Sequence, residues 1–189
     1  MHVNLSPTAI AVIVICAVVL VVLIVLLSRQ QRRGALRRRF GAEYERAVRE
    51  HGSEAAAQAA LDARQKRVER FNIRKLTPAE RDRYAEHWRI VQSRFVDQPR
   101  DSVIEADDTV TSLMAVRGYP MADFEQRAAD LSVDHPNVVS NYRAARTIAV
   151  RHRQGQANTE DLRQAMIYYR SLFEELLDDQ RPRGAREAA

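Results

Sequence analysis

The longest pattern along the chain is a run with no polar interruption. Residues 9–27 are 19 consecutive apolar residues, nearly all Val, Ile, Leu or Ala. At about 1.5 Å per residue they form a helix of about 28 Å, close to the roughly 30 Å hydrocarbon thickness of a bilayer. Ser6 and Pro7 suit the N-cap and first helical positions. The expectation is a transmembrane helix over 9–27 behind a short N-terminus, 1–8. A cleaved secretory signal would need a basic leader, a shorter apolar stretch and a small-residue cleavage site. Residues 1–7 hold no Lys or Arg, and the run ends Leu26-Leu27-Ser28-Arg29.

Beyond the run the apolar residues recur at helical spacing. Leu36, Phe40, Tyr44, Ala47 and Val48 predict a helix over 35–51, and His51-Gly52-Ser53 reads as a stop followed by a new cap. Residues 54–70 carry a thin seam of Ala57, Leu61, Arg64, Val68 and Phe71, which suits a helix leaning on one neighbour or standing in solvent. Together with a connector, residues 28–76 read as a basic juxtamembrane helical stalk.

A better-patterned region, 77–179, reads as a compact bundle of four or five helices. Thr77-Pro78-Ala79-Glu80 has the residues of a capping box, in which hydroxyl and carboxylate each take a backbone N–H. Tyr84, Trp88, Val91 and Phe95 share one face of the helix that follows. The next helix, about 101–117, turns Val103, Ala106, Val110, Leu113 and Val116 inward and stops at Gly118. A shorter one over 121–131 offers Phe124, Ala128 and Leu131. Asp134-His135-Pro136-Asn137 reads as a capped start for a helix carrying Val138, Tyr142, Ala145 and Ile148. Asn158 or Thr159 caps the last, with Leu162, Met166, Tyr169, Phe173 and Leu176 inward. The tail, 180–189, is charged, contains Pro and Gly, and reads as disordered. The fold class is all-α.

Charge changes the picture once it is divided. The chain carries a formal +5, yet residues 1–40 hold six arginines and no acidic group, while residues 77–180 hold 13 basic and 18 acidic groups. A general nucleic-acid binder carries its positive charge on the folded surface, so no specific nucleic-acid partner is expected. The six arginines, Arg29, Arg32, Arg33, Arg37, Arg38 and Arg39, crowd the C-terminal flank of the apolar run. Basic flanks stay cytoplasmic, which places the N-terminus outside and the domain inside. The same arginines are candidate contacts for anionic lipid headgroups.

No chemistry of a recognisable kind is added. Cys16 is the single cysteine, and no histidine pair has the spacing of a zinc-bound hydrolase helix. Glycines fall singly at predicted turns, so no phosphate-cradling loop is present. Catalytic residues, metal and cofactor are therefore read as none. Two polar clusters remain. Asp101, Glu105, Asp108 and Ser112, with Asp107 nearby, share a helix face that solvation and the helix dipole also explain. Asp134, His135, Asn137, Asn141 and Tyr142 gather at a loop and helix start, and are the candidate ligand or partner contacts.

The runs Arg39-Phe40-Gly41-Ala42-Glu43-Tyr44, Asp134-His135-Pro136-Asn137-Val138-Val139, Thr159-Glu160-Asp161-Leu162-Arg163 and Glu174-Glu175-Leu176-Leu177 resemble an uncharacterised bacterial family of single-pass membrane proteins, also described as hypothetical or secreted. The resemblance covers about residues 35–178. It implies a bacterial inner-membrane setting and no particular activity. On "secreted" the arginines decide the other way.

The expectation is a membrane-tethered interaction or scaffold module whose cytoplasmic domain binds a protein partner, without evident catalysis. The alternative is an enzyme with a polar site between bundle helices, near 134–142 or 101–108. A third reading is an envelope component with no discrete ligand.

Overall fold

In the computed structural model the structure describes residues 7–178, and within its first helix the side chains of 7–16, 22, 25–27, 29 and 32 lie outside the described residues. Residues 1–6 and the tail expected over 180–189 lie outside them as well. The described chain is all-α, without strands. It divides into two compact units, residues 1–39 and 40–189.

The first unit is almost all of α1 (Pro7–Phe40). Among the described residues no helix is long and apolar enough to cross a membrane. Much of the run expected to do so, residues 9–16, 22 and 25–27, belongs to the side chains outside the described residues.

The second unit begins at Phe40, and Gly41 then turns the chain at φ 50° and ψ −123°, a conformation that side-chain-bearing residues avoid. That glycine breaks the single helix expected over 35–51, and α2 (Ala42–His51) starts after it. Gly52, left-handed at φ 72°, ends α2 and donates to the Val48 carbonyl. The Ser53 hydroxyl then caps α3 (Glu54–Val68), accepting from Ala56 N. The thin seam of α3 is used on two sides. Ala57, Leu61 and Val68 are buried, and α3 packs against both α2 and α6. The structural division therefore falls at Phe40, not at residue 77, and the segment read as a stalk is largely part of the folded unit.

From residue 77 the expected order of helices is observed. The Thr77–Glu80 capping box opens α4 (Pro78–Arg94). Next come α5 (Pro99–Val116), α6 (Phe124–Asp134), α7 (Pro136–Arg153) and α8 (Thr159–Asp178). α6 starts three residues later than expected because Asp123 is its cap, accepting from Gln126 N. α8 is central, packing on α7, α5 and α4. The core gathers buried residues from Leu76 to Leu177, and at its centre Trp88 stacks on Phe173 with ring centroids 4.4 Å apart. Phe40, Tyr44, Ala47, Ala57, Leu61 and Val68 are buried apart from that core, around the α2–α3 hairpin.

The connector between hairpin and bundle is clipped in place. Arg74 N–H donates to the Arg117 carbonyl at 2.9 Å. Gly118, at φ +95°, lies so close to the connector that a Cβ there would stand 2.3 Å from the Asn72 carbonyl oxygen. The buried Arg117 guanidinium donates to the Leu176 carbonyl at 2.7 Å, placing a cation on the negative end of α8.

Candidate functional site

The first polar cluster expected from sequence does not converge. Glu105 is held by Arg94 at 3.1 Å and lies 3.5 Å from His87, while Asp101 and Asp108 point to solvent. The Ser112 and Tyr84 hydroxyls meet at 2.8 Å. Asp107 turns the other way, into the bundle, where Arg146 donates to it at 2.8 Å. Beside it stand Tyr142 and Tyr169, both fully buried, and neither hydroxyl makes a hydrogen bond of good geometry among the described residues. Burial pushes both phenols above their ordinary pKa. For Tyr169 the neighbouring Asp107 charge adds to the rise, and for Tyr142 the Arg127 charge opposes it. Both hydroxyls stay neutral in the physiological range.

The second cluster divides among three places. Asp134 accepts from the Tyr119 hydroxyl at 3.1 Å. His135 is buried and meets Glu175 of α8 at 3.0 Å through Nδ1. It makes no side-chain cap for α7, so the capping role expected of this corner is absent and the ring ties the α6–α7 corner to α8 instead. Asn137 is exposed, Asn141 donates to Ser171 at 3.2 Å, and Tyr142 faces the core, its ring 4.9 Å from that of Phe124. Of the arginines expected at lipid headgroups, Arg33, Arg37, Arg38 and Arg39 are exposed on α1, and the side chains of Arg29 and Arg32 lie outside the described residues. Among the described residues no group of three or more His, Cys, Asp or Glu side chains is placed to hold a metal ion.

The site that does converge was not singled out by the sequence. Where the α2–α3 hairpin meets α6 and α7, an open cleft of about 600 Å³ is lined by Glu50, Arg64, Arg67, Glu125 and Arg143 over a floor that includes Ala129. Four of these charges, Glu50, Arg64, Glu125 and Arg143, join Glu43 and Arg46 in a closed ring of alternating sign. Arg143 Nε donates to the buried Glu43 at 3.3 Å, and Glu43 lies 3.7 Å from Arg64. Arg64 is 3.7 Å from Glu50, which pairs with Arg46 at 2.7 Å. Arg46 reaches Glu125 at 3.6 Å, and Glu125 returns to Arg143 at 2.5 Å. Next to the ring, Arg67 holds Asp130 at 3.2 Å, and Gln126 donates to the same carboxylate oxygen at 2.8 Å. Asp130 is buried, and that burial raises its pKa despite both donors and the nearby Arg64 charge.

A signal for this ring exists in the sequence, since Glu43, Arg46 and Glu50 stand at i, i+3 and i+7 on one face of α2. A solvated helix face gives the same pattern, and the partners Glu125 and Arg143 are far away along the chain. No family model, curated protein or solved structure matches the chain.

Proposed function

We propose that this chain is a membrane-tethered interaction module. In this reading residues 9–27 cross a bacterial inner membrane with the short N-terminus outside. Arg29, Arg32, Arg33, Arg37, Arg38 and Arg39 lie against anionic headgroups on the cytoplasmic side, and the compact unit from Phe40 onward presents its charged cleft to a protein partner.

The observation that carries the reading is the character of α1. Successive residues of a helix point about 100° apart, so four in a row sample its whole circumference. Val18, Val19, Leu20 and Val21 are all exposed, Leu20 by 60%, and Leu23 and Ile24 are exposed as well. Among the described residues all six of these side chains stand exposed. In water each such side chain forfeits about 1.5–3 kcal/mol of burial, which lipid supplies. The arginines that follow supply the orientation.

The test is a pair of reporters fused after Ala189 in a bacterial host. A reporter active only outside the cytoplasm should stay silent, and a fluorescent protein that folds only inside should light up. The fusion should pellet with membranes and resist alkaline carbonate. The opposite pair of signals would overturn the orientation, and release by carbonate would overturn the anchor.

A further inference from the structure

The α2–α3 hairpin turns through Gly52 and Ser53 alone, and its two helices run antiparallel. Glu43 and Arg64, 3.7 Å apart, set the first turn of α2 beside the later turns of α3. The C-terminal end of α3 therefore lies at the same end of the hairpin as Phe40, where the chain enters the compact unit. That end is strongly basic. Residues 64–75 hold six basic side chains and a single acidic one, Glu69. Three of the six are already matched: Arg64 faces Glu43 and Glu50, Arg67 holds Asp130, and Arg74 holds Glu80 at 2.7 Å. Lys66, Arg70 and Lys75 are exposed, and among the described residues none of them forms an ion pair. Glu69 does not neutralise them, since its carboxylate accepts from Gln65 at 3.0 Å. Elsewhere on the unit the exposed Arg94, Arg151 and Arg163 each meet an acid, Glu105, Asp161 and Glu160.

We propose that this end of the hairpin is a second lipid contact, in which Lys66, Arg70 and Lys75 rest on anionic headgroups and hold the compact unit against the membrane. Like charges gathered without a counter-ion repel one another, and a fixed anionic surface relieves that repulsion. The anchor keeps such a surface near. Phe40 follows Leu27 by 13 residues, about 20 Å along α1. A tethered surface acts at a high effective concentration that a dissolved polyanion lacks, which favours lipid over a nucleic acid. The proposal rests on the membrane-tethered reading and adds a contact by the folded unit itself, beyond the arginines of α1.

Lys66 and Lys75 are the only lysines in the chain, so amine chemistry reads this surface directly. The experiment uses the full chain in nanodiscs of phosphatidylcholine alone or mixed equally with phosphatidylglycerol. Acetylation of each lysine by acetic anhydride, an uncharged reagent, is followed by mass spectrometry. Both lysines should react at least about threefold more slowly in the anionic discs, and about 1 M salt should abolish the difference. Arg70→Gln should restore at least about half of the lost reactivity, because it removes one of the three cations. A control lysine is placed by Arg153→Lys at the Thr159 end of α8. The connector is clipped through Arg117 to the Leu176 end, about 25 Å away along that helix. The control should react equally in both lipids. Equal reactivity of Lys66 and Lys75 in the two lipids, equal slowing of the control, or protection indifferent to Arg70→Gln would each overturn the proposal. So would protection by polyuridylate in uncharged discs without protection by phosphatidylglycerol, which would make the surface a nucleic-acid contact. Both leaflets of a disc have the same lipid, so the result does not depend on the orientation of the anchor. Failure of the anchor shows as release by carbonate, and failure of this contact as equal labelling in discs that retain the chain.

Discussion

Two regions of the same compact unit are held together by different physics. In the α4–α8 bundle, Val91, Val103, Val110, Leu113, Leu131, Leu172 and Leu176 have no exposed surface, and Trp88 lies flat on Phe173. That attraction is non-directional and grows with each apolar group removed from water. At the α2–α3 hairpin the buried apolar residues are fewer and include small ones, Ala47 and Ala57, and the face toward α6 and α7 is an alternating ring of arginine and glutamate. A buried ion pair contributes little net stability, because desolvation cancels most of the attraction, yet removing one partner costs a great deal. The bundle therefore supplies the stability, and the ring sets where the hairpin lies. A position fixed by charge can be altered by a competing charge, and a position fixed by a core cannot.

The largest expected effect lies in the bundle. Trp88→Ala should destabilise the protein by about 3–5 kcal/mol, through lost transfer energy and the cavity left against Phe173. Thermal or urea unfolding followed by circular dichroism measures it. A loss below about 1 kcal/mol would mean that the bundle tolerates a hole at its centre and that the contrast with the hairpin is misplaced.

A second comparison concerns the clip between hairpin and bundle. Gly118 and Gly155 both have positive φ, at 95° and 73°, but a Cβ at Gly155 meets nothing within 4 Å, while one at Gly118 strikes the Asn72 backbone. Gly155→Ala should cost about 1–2 kcal/mol from its left-handed conformation alone. Gly118→Ala should cost about 3 kcal/mol or more, since it adds a backbone collision that side-chain repacking cannot relieve. Equal losses in the two variants would show that the connector yields freely, and that the ring and the packing of α3 on α6 couple hairpin and bundle.

How much of this was legible in the sequence follows the same divide. The helices from Thr77 onward were readable because each rule involved is local. The capping box spans four residues, the stop at Gly118 needs one, and the apolar face of α8 recurs every three or four positions. The hairpin was read as a stalk because its apolar seam is thin, and because the arginines completing its docked face look identical to solvated ones. Arg64 and Arg67 become interpretable only when Glu43, Glu50 and Asp130 stand beside them. The break at Gly41 was missed because a lone glycine inside an otherwise helical pattern costs only about 1 kcal/mol and does not by itself announce a turn. Asp107 was read with its acidic neighbours, although only tertiary structure shows that it faces Arg146.

The smallest expected effect has a distinctive sign. Asp130 is buried where α6 faces α3, and its pKa in the folded protein stands above the ordinary carboxylate value, chiefly because burial disfavours the charge. The folded state therefore takes up this proton more readily than the unfolded state. The stability the group contributes is fully present below its unfolded pKa and is lost as pH rises through the raised folded value. At neutral pH an ionised Asp130 is thus a net cost that Arg67 and Gln126 only partly offset. Asp130→Asn keeps an acceptor for both donors and removes the charge, and Arg67, half in solvent, is left hydrated. The variant should be more stable than the parent at pH 7 by about 1 kcal/mol or less, roughly 2–4 °C in melting temperature for a chain of this size. That advantage should vanish on acidification into the range where Asp130 is protonated in both states, and the paired comparison cancels the titration of every other group. If the variant is instead less stable at pH 7 and recovers in acid, the Arg67–Asp130 pair is net stabilising. The hairpin interface would then draw stability from charge as the bundle draws it from apolar burial.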